Sequence, residues 1–321
     1  MSPRSARSTL AAALVVAGGA VACVPGVPAA AALAGGIILA LTVGNPLADR
    51  TRSLAKKLLP ASVIALGGGM DLGAVVRVGA HGIGYTVVSI ATCAALGWAI
   101  SRALAVERRT GLLVTVGTAI CGGSAIAAAA PVLGADDREI SVSLATVFVL
   151  NAVALVVFPP LGHAARLSQP AFGLWSALAI HDTSSVVGAG MQYGPVALSV
   201  ATTVKLARAL WIVPVTLALG VLERRRAVAS PAARSRPPWF ILGFVLAAAF
   251  ATYVPGLQPA GKLLATVGAR ALVLTLFLIG LGLSRASLRA VGARPLLLGL
   301  ALWIAMGAGT LAAVRFGLAA L

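Results

Sequence analysis

Acidic side chains are scarce in this 321-residue sequence: 8 Asp and Glu stand against 25 Lys and Arg, and charged residues of both signs make up 10% of the chain. Soluble domains carry about 25%, so a soluble globular fold is excluded. Cysteine is rare too. Cys23, Cys93 and Cys121 each lie inside an apolar run, which argues against a disulfide framework and leaves them as small packing residues. No metal-ligand spacing, nucleotide loop or redox-cofactor motif is present, so neither metal nor cofactor is expected. The histidines, His81, His163 and His181, fall on separate spans or span ends. What abounds is apolar, 60% of the residues, with 36 glycines and 17 prolines. This is the composition of an integral membrane protein.

A helix needs about 20 apolar residues to cross the hydrocarbon core. Breaks at Pro, Gly and charge predict an all-α membrane protein of about eleven transmembrane helices, at 8–24, 28–46, 58–72, 81–103, 110–134, 139–160, 168–190, 194–222, 238–255, 258–284 and 293–316. One transmembrane domain over 1–321 is expected, with 223–238 (ERRRAVASPAARSRPP) as its longest loop, cytoplasmic, between the eighth and ninth spans. Basic residues resist translocation. With the N-terminus inside and the C-terminus outside, 18 of the 25 basic residues, Arg108, Arg109 and Arg166 among them, fall on the cytoplasmic side. Only Arg77, Arg138, Lys262 and Arg315 face out, with the acidic cluster Asp136, Asp137 and Glu139. The net charge of +17 then reflects topology and attraction to anionic lipid, and no nucleic-acid partner is expected. Residues 8–24 are read as a first helix, a cleaved signal peptide being the alternative.

Lys205, Arg208 and Arg270 remain inside spans, where exposure to lipid costs about 2.5 to 3.5 kcal/mol each. The one acid inside a span is Asp182, preceded by His181. Lys205 and Arg208 are three residues apart and share a helix face, one turn after Thr202. A structural Lys205–Asp182 bridge is one reading. The other is a surplus positive field at mid-membrane, suited to an anion, where a cation carrier would show surplus carboxylates. Two Gly/Ser-rich breaks occur at that depth: Gly117-Thr118-Ala119-Ile120-Cys121-Gly122-Gly123-Ser124 and Ile180-His181-Asp182-Thr183-Ser184-Ser185. Close packing through small residues would account for either. Broken helices would instead point N-terminal N–H groups and positive dipole ends at a ligand near Ser124, with Asp182 or Thr183 capping the second half-helix.

Two internal likenesses suggest inverted repeats. Residues 67–80 (GGGMDLGAVVRVGA) match 280–293 (GLGLSRASLRAVGA) at Gly67/Gly280, Gly69/Gly282, Val78/Val291, Gly79/Gly292 and Ala80/Ala293. Residues 120–129 (ICGGSAIAAA) and 180–189 (IHDTSSVVGA) join the two breaks.

The stretches GTAICGGSAIAAAAPV (117–132), LATVFVLNAVALVVFPPLGH (144–163), SQPAFGLWSALAIHDTSSVVGAG (168–190) and VKLARALWIVPV (204–215) resemble, in order and spacing, the signature blocks of the bacterial YeiH-type membrane proteins, labelled sulfate exporters. The resemblance extends through GLGLSRASLRAVGARPLLLGL (280–300). It implies an inverted-repeat transporter with broken crossing helices, grouped with cation/proton antiporters and bile-acid symporters, in the bacterial inner membrane. It also implies elevator-like movement and a homodimer. Such relatives would carry coupling carboxylates, and only Asp182 offers one.

The expected function is secondary transport, export by the family label, of a small anion such as sulfate, a related sulfur oxyanion or a sulfonate. Gly122, Gly123, Ser124, Thr183, Ser184, Ser185, Lys205 and Arg208 would bind the anion, and His181 and Asp182 would carry a coupling proton. Thr118, Cys121, Asn151 and Arg270 are secondary candidates. An anion channel fits nearly the same residues. An intramembrane enzyme using His181, Asp182 and Ser124 or Cys121 is disfavoured, because adjacent residues point about 100° apart on a helix.

Overall fold

The computed structural model describes residues 3–224, 239–283 and 292–317. Among them are fourteen α-helices and one 3-10 turn, with no strand. Five stretches are long and apolar enough to cross a membrane: Gly84–Ala103, Arg138–Ala164, Pro195–Glu223, Gln258–Leu281 and Ala293–Arg315. The chain forms two compact units, Met1–Val76 with Trp239–Leu288 and Arg77–Pro238 with Arg289–Leu321.

In the first unit, α1 (Pro3–Cys23), α2 (Ala29–Thr42), α3 (Ala48–Gly67) and α12 (Trp239–Tyr253) surround α13 (Gln258–Leu281). Small residues set the spacing, as membrane helices require when no hydrophobic effect drives them together. A Cβ on Gly36 would lie 2.2 Å from the Phe277 carbonyl oxygen, and one on Gly280 would lie 2.4 Å from that of Leu33. The repeat partner Gly67 plays the same part against the Phe244 carbonyl of α12. Of that repeat, residues 284–291 lie outside the described residues. Arg270 is in this unit. Its Nη1 donates to the carbonyls of Val24 and Val27, 3.4 Å each, in the α1–α2 connection.

The second unit holds most of α4 (Leu72–Ala103), then α5 (Arg108–Ala119), α6 (Gly123–Leu133), α7 (Asp137–Ala164), α8 (Gln169–Ala179), α9 (Thr183–Tyr193), α10 (Pro195–Ala209), α11 (Ile212–Arg224) and α14 (Ala293–Arg315). Two expected crossings, 110–134 and 168–190, turn out to fold back on themselves. Residues 27 to 30 apart on a straight helix would be about 40 to 45 Å apart. Instead Arg109, opening α5, lies 3.9 Å from Glu139, just beyond the end of α6. Gln169, opening α8, accepts from the Val196 N–H at 2.9 Å, just beyond the end of α9. Tyr193 closes the second base, donating to the Leu167 carbonyl at 2.7 Å and stacking on Phe172 and His163. Each segment is therefore a re-entrant hairpin whose arms of 11 or 12 residues reach about 17 Å, half the hydrocarbon thickness. An apolar stretch of 25 residues has the same composition if it crosses or returns, and only the backbone at the turn distinguishes the two.

The hairpins enter from opposite ends of α7, since the first ends where α7 begins and the second begins where α7 ends. This corrects the placement of two loops. Asp136 and Glu139 form a capping box at the start of α7, and with Arg138 they share an end with Arg108 and Arg109, where the sequence reading set them opposite. Arg166 goes to the other end. The exchange of Arg138 for Arg166 leaves the 18-to-4 charge split unchanged, which is why charge counting could not detect it. At the first end Arg108 also pairs with Glu223, and Arg294 donates to the Ala105 carbonyl at 3.3 Å. Glu223 and Arg224 thus belong to α11 rather than to the expected loop, and 225–238 lie outside the described residues. The span 194–222 is bent at Leu210–Trp211, because Pro214 lacks the N–H that would have bonded to Leu210.

Candidate functional site

The two hairpin tips meet. At the first, α5 stops at Ala119 and the chain turns through Ile120–Gly122, with Gly122 at φ 69°, ψ −126°. This is a conformation reserved for glycine. Absence of a side chain is required there for a second reason: a Cβ would sit 3.2 Å from the Cβ of Asp182. At the second tip α8 stops at Ala179 and α9 starts at Thr183, with Asp182 as its N-cap. The Asp182 carboxylate accepts from the Ser184 N–H at 2.9 Å and from the Ser184 hydroxyl. Gly122 and Asp182, aligned in the short internal likeness, are the N-cap residues of the two outgoing arms.

Lys205 and Arg208 come from α10, which packs on both arms of the second hairpin. Both are fully buried, at 0% exposure. Neither forms an ion pair with Asp182. Lys205 Nζ donates to the carbonyls of Ile180 at 2.7 Å and Ala177 at 3.3 Å. Arg208 bridges the hairpins, Nε donating to Ala119 O at 2.7 Å and Nη1 to Leu178 O at 2.8 Å. Helices α5 and α8 end here, and each C-terminus carries about half a negative charge. The two cations thus neutralise the ends of the ingoing arms. The outgoing arms start with about half a positive charge each, so the dipoles cancel and two basic side chains, Lys205 and Arg208, stand against one acidic one, Asp182.

Several buried polar atoms around the tips have no protein partner: Arg208 Nη2, Asn151 Nδ2, Thr118 Oγ1, Thr202 Oγ1 and both ring nitrogens of His181. Buried polar atoms in native proteins are nearly always paired with protein, water or ligand. Asn151, on α7, accepts from the Asp182 N–H at 3.3 Å through Oδ1, which leaves its amide group as a free donor beside the tips. One turn earlier on α7, Phe148 packs against Gly123. The N-terminus of α6 has no side-chain cap, and Ser124 in its first turn is exposed. Thr183, Ser184 and Ser185 are buried in the first turn of α9. Cys121 is buried in the first tip, and Cys93 approaches from α4, its thiol 3.8 Å from the Thr115 carbonyl.

The sequence candidates therefore converge on one place, with two exceptions in detail. Arg270 is in the other unit, occupied by the α1–α2 connection. Lys205 and Arg208 direct four of their eight N–H donors to backbone carbonyls, whereas Arg208 Nη2 and the Asn151 amide have no protein partner. The acceptor carbonyls carry no side-chain signal, and sequence reasoning missed them. Asn151, ranked second by sequence, stands in the first rank here.

A family model described as Conserved hypothetical protein 698 matches residues 9–299. The chain belongs to this family. It is 57% identical over 294 residues to a UPF0324 membrane protein of Bdellovibrio bacteriovorus, covering 91% of this chain and 90% of the relative. It is 46% identical over 291 residues to one of Geobacter sulfurreducens, covering 91% and 92%. A UPF0324 membrane protein of Bacteroides thetaiotaomicron is 44% identical over 283 residues, covering 88% and 84%. The YeiH-type resemblance agrees with this membership. No solved structure matches the chain.

Proposed function

We propose that this family member is a secondary carrier for a small anion, seated where the two hairpin tips meet. The observation that carries the reading is the excess of buried basic over acidic side chains at the tips, together with buried donors that have no protein partner. An oxyanion would accept from the first N–H groups of α6, the Ser124 hydroxyl, the Asn151 amide and Arg208 Nη2, a set of donors suited to several oxygens at once. Sulfate, a related sulfur oxyanion or a sulfonate is the substrate class that the resemblance implies, and export is the direction. The substrate leaves chemically unchanged, so no enzymatic step is assigned. Asp182 and His181 would carry a coupling proton.

The end of the second unit with Arg108, Arg109, Arg138 and Arg294 would face the cytoplasm of a bacterial cell, since basic residues are retained there. The first hairpin would then open inward and the second outward, with the N-terminus inside and the C-terminus outside. The two tips pack so closely that a Cβ added to Gly122 would lie 3.2 Å from that of Asp182, which favours a carrier over a channel.

The test is a melting-temperature screen of the purified protein against sulfate, sulfite, thiosulfate, sulfonates and carboxylates, followed by uptake of the selected anion into proteoliposomes. Stabilisation by one anion and its saturable uptake are expected. A flat screen with no uptake would sink the proposal, and unitary currents in a bilayer would replace carrier with channel.

A further inference from the structure

The carbonyls that hold Lys205 and Arg208 form a recognisable chemical arrangement. Ala177 O, Leu178 O and Ile180 O belong to the end of α8, and Ala119 O to the end of α5. All four residues are buried, from 0% to 3% exposed, so water cannot supply the counter-charge. Interrupted helices in membrane carriers commonly use such freed carbonyls and C-terminal ends to ligate a coupling sodium ion. Hard cations favour oxygen ligands of this kind. Here the ligands are already engaged by two ammonium- and guanidinium-type donors that are covalently part of α10.

We infer that Lys205 and Arg208 are tethered stand-ins for an alkali cation, filling the carbonyl seats at the ends of the ingoing arms so that the site takes its anion without sodium. The inference rests on the carrier reading for its consequence in transport, but the occupied seat is a property of the fold. The two cations divide the work. Lys205 closes the end of α8 alone, whereas Arg208, with a planar fork that a lysine lacks, ties the α5 and α8 ends together. A tethered donor cannot diffuse away as an ion does, so the carbonyl seats at the tips stay filled. The anion seat is therefore preformed in every state of the cycle in which the tips stay joined, and no sodium gradient is drawn upon. Lys205 and Arg208 are by this argument positioning residues that act on the anion chiefly through the helix ends.

The test uses the full-length protein and sodium chloride, with N-methyl-D-glucamine chloride as the control for ionic strength. The wild type is expected to show equal melting temperatures in the two salts. Lys205→Met keeps an unbranched side chain but uncovers the Ala177 and Ile180 carbonyls, and sodium should raise its melting temperature by roughly 5 °C at 100 times the dissociation constant. Lys205→Arg keeps the charge and should stay indifferent to sodium. A Lys205→Met protein that folds and melts cooperatively, yet is indifferent to sodium, overturns the inference. So does a wild type stabilised by sodium. Should Lys205→Met fail to fold, Arg208→Met probes the second seat with the same readings. Wild-type anion uptake should change by less than about 2-fold when sodium is replaced, and a larger dependence overturns the inference whatever the variants do. Absence of anion uptake altogether would refute the carrier proposal while leaving the melting comparison to judge the occupied seat.

Discussion

The first hairpin turns through Gly122, which has no side chain and a positive φ, and its outgoing arm begins uncapped at an exposed Ser124. The second turns through Asp182, which caps its own outgoing arm and is buried with the three hydroxyl residues that follow. Equivalent positions thus serve different ends. One tip leaves its N-terminus without a side-chain cap, and the other caps its own through the buried carboxylate of Asp182. Two antiparallel copies of a hairpin with identical tips would either leave both N-termini unsatisfied in the membrane or close both. The asymmetry gives one uncapped tip and one capped tip, joined by Arg208.

Removing that joint should have the largest effect. Arg208→Ala leaves the Ala119 and Leu178 carbonyls buried without donors, a loss of about 2 to 6 kcal/mol at about 1 to 3 kcal/mol each. Denaturation in detergent should show the lost stability, and proteoliposomes should show no anion uptake; a variant with wild-type stability would mean that the tips are held by something else. Gly122→Ala comes next. Its backbone conformation costs a side chain about 1 to 3 kcal/mol, and the new Cβ presses on Asp182, so a lower melting temperature and loss of uptake are expected. Unaltered uptake would show that the tips tolerate separation.

A third change sharpens the comparison by erasing charge and keeping shape. Asp182→Asn retains an N-cap acceptor, so stability should shift by no more than about 1 kcal/mol. Anion exchange at equal pH should persist, and uptake driven by an imposed pH gradient should be lost. Gradient-driven uptake equal to the wild type would remove Asp182 from proton coupling. The smallest effect belongs to the open tip. Ser124→Ala should leave stability within about 0.5 kcal/mol, since the site is exposed, yet weaken the apparent affinity by roughly 2- to 10-fold, the worth of one hydrogen bond. An unchanged half-saturation concentration would place the anion elsewhere.

Much of the site was legible in the sequence because membrane burial makes polarity conspicuous. In a chain with 10% charged residues, Lys205, Arg208 and Asp182 inside apolar runs could hardly be overlooked, and Gly122-Gly123 and His181-Asp182 marked the two turns. The alignment of Ile120–Ala129 with Ile180–Ala189 even paired Gly122 with Asp182. The donors' partners were not legible, because backbone carbonyls have no residue identity and become acceptors only where a helix is interrupted. The depth argument grouped Arg270 with the others, since residue counting gives height in the membrane and not lateral position.

Composition and apolar periodicity by themselves determined that this is a helical membrane protein, located its two interruptions, and selected the ionisable residues that had to face the protein interior. Only the tertiary structure decided that the interrupted segments return instead of crossing, that they enter from opposite ends of α7, and that Lys205 and Arg208 turn toward helix ends. The physical reason is that hydropathy measures the cost of leaving water, which is the same for a segment that crosses and one that returns, whereas the direction of a chain after a turn is set by a few dihedral angles and by the partners that the freed backbone groups find.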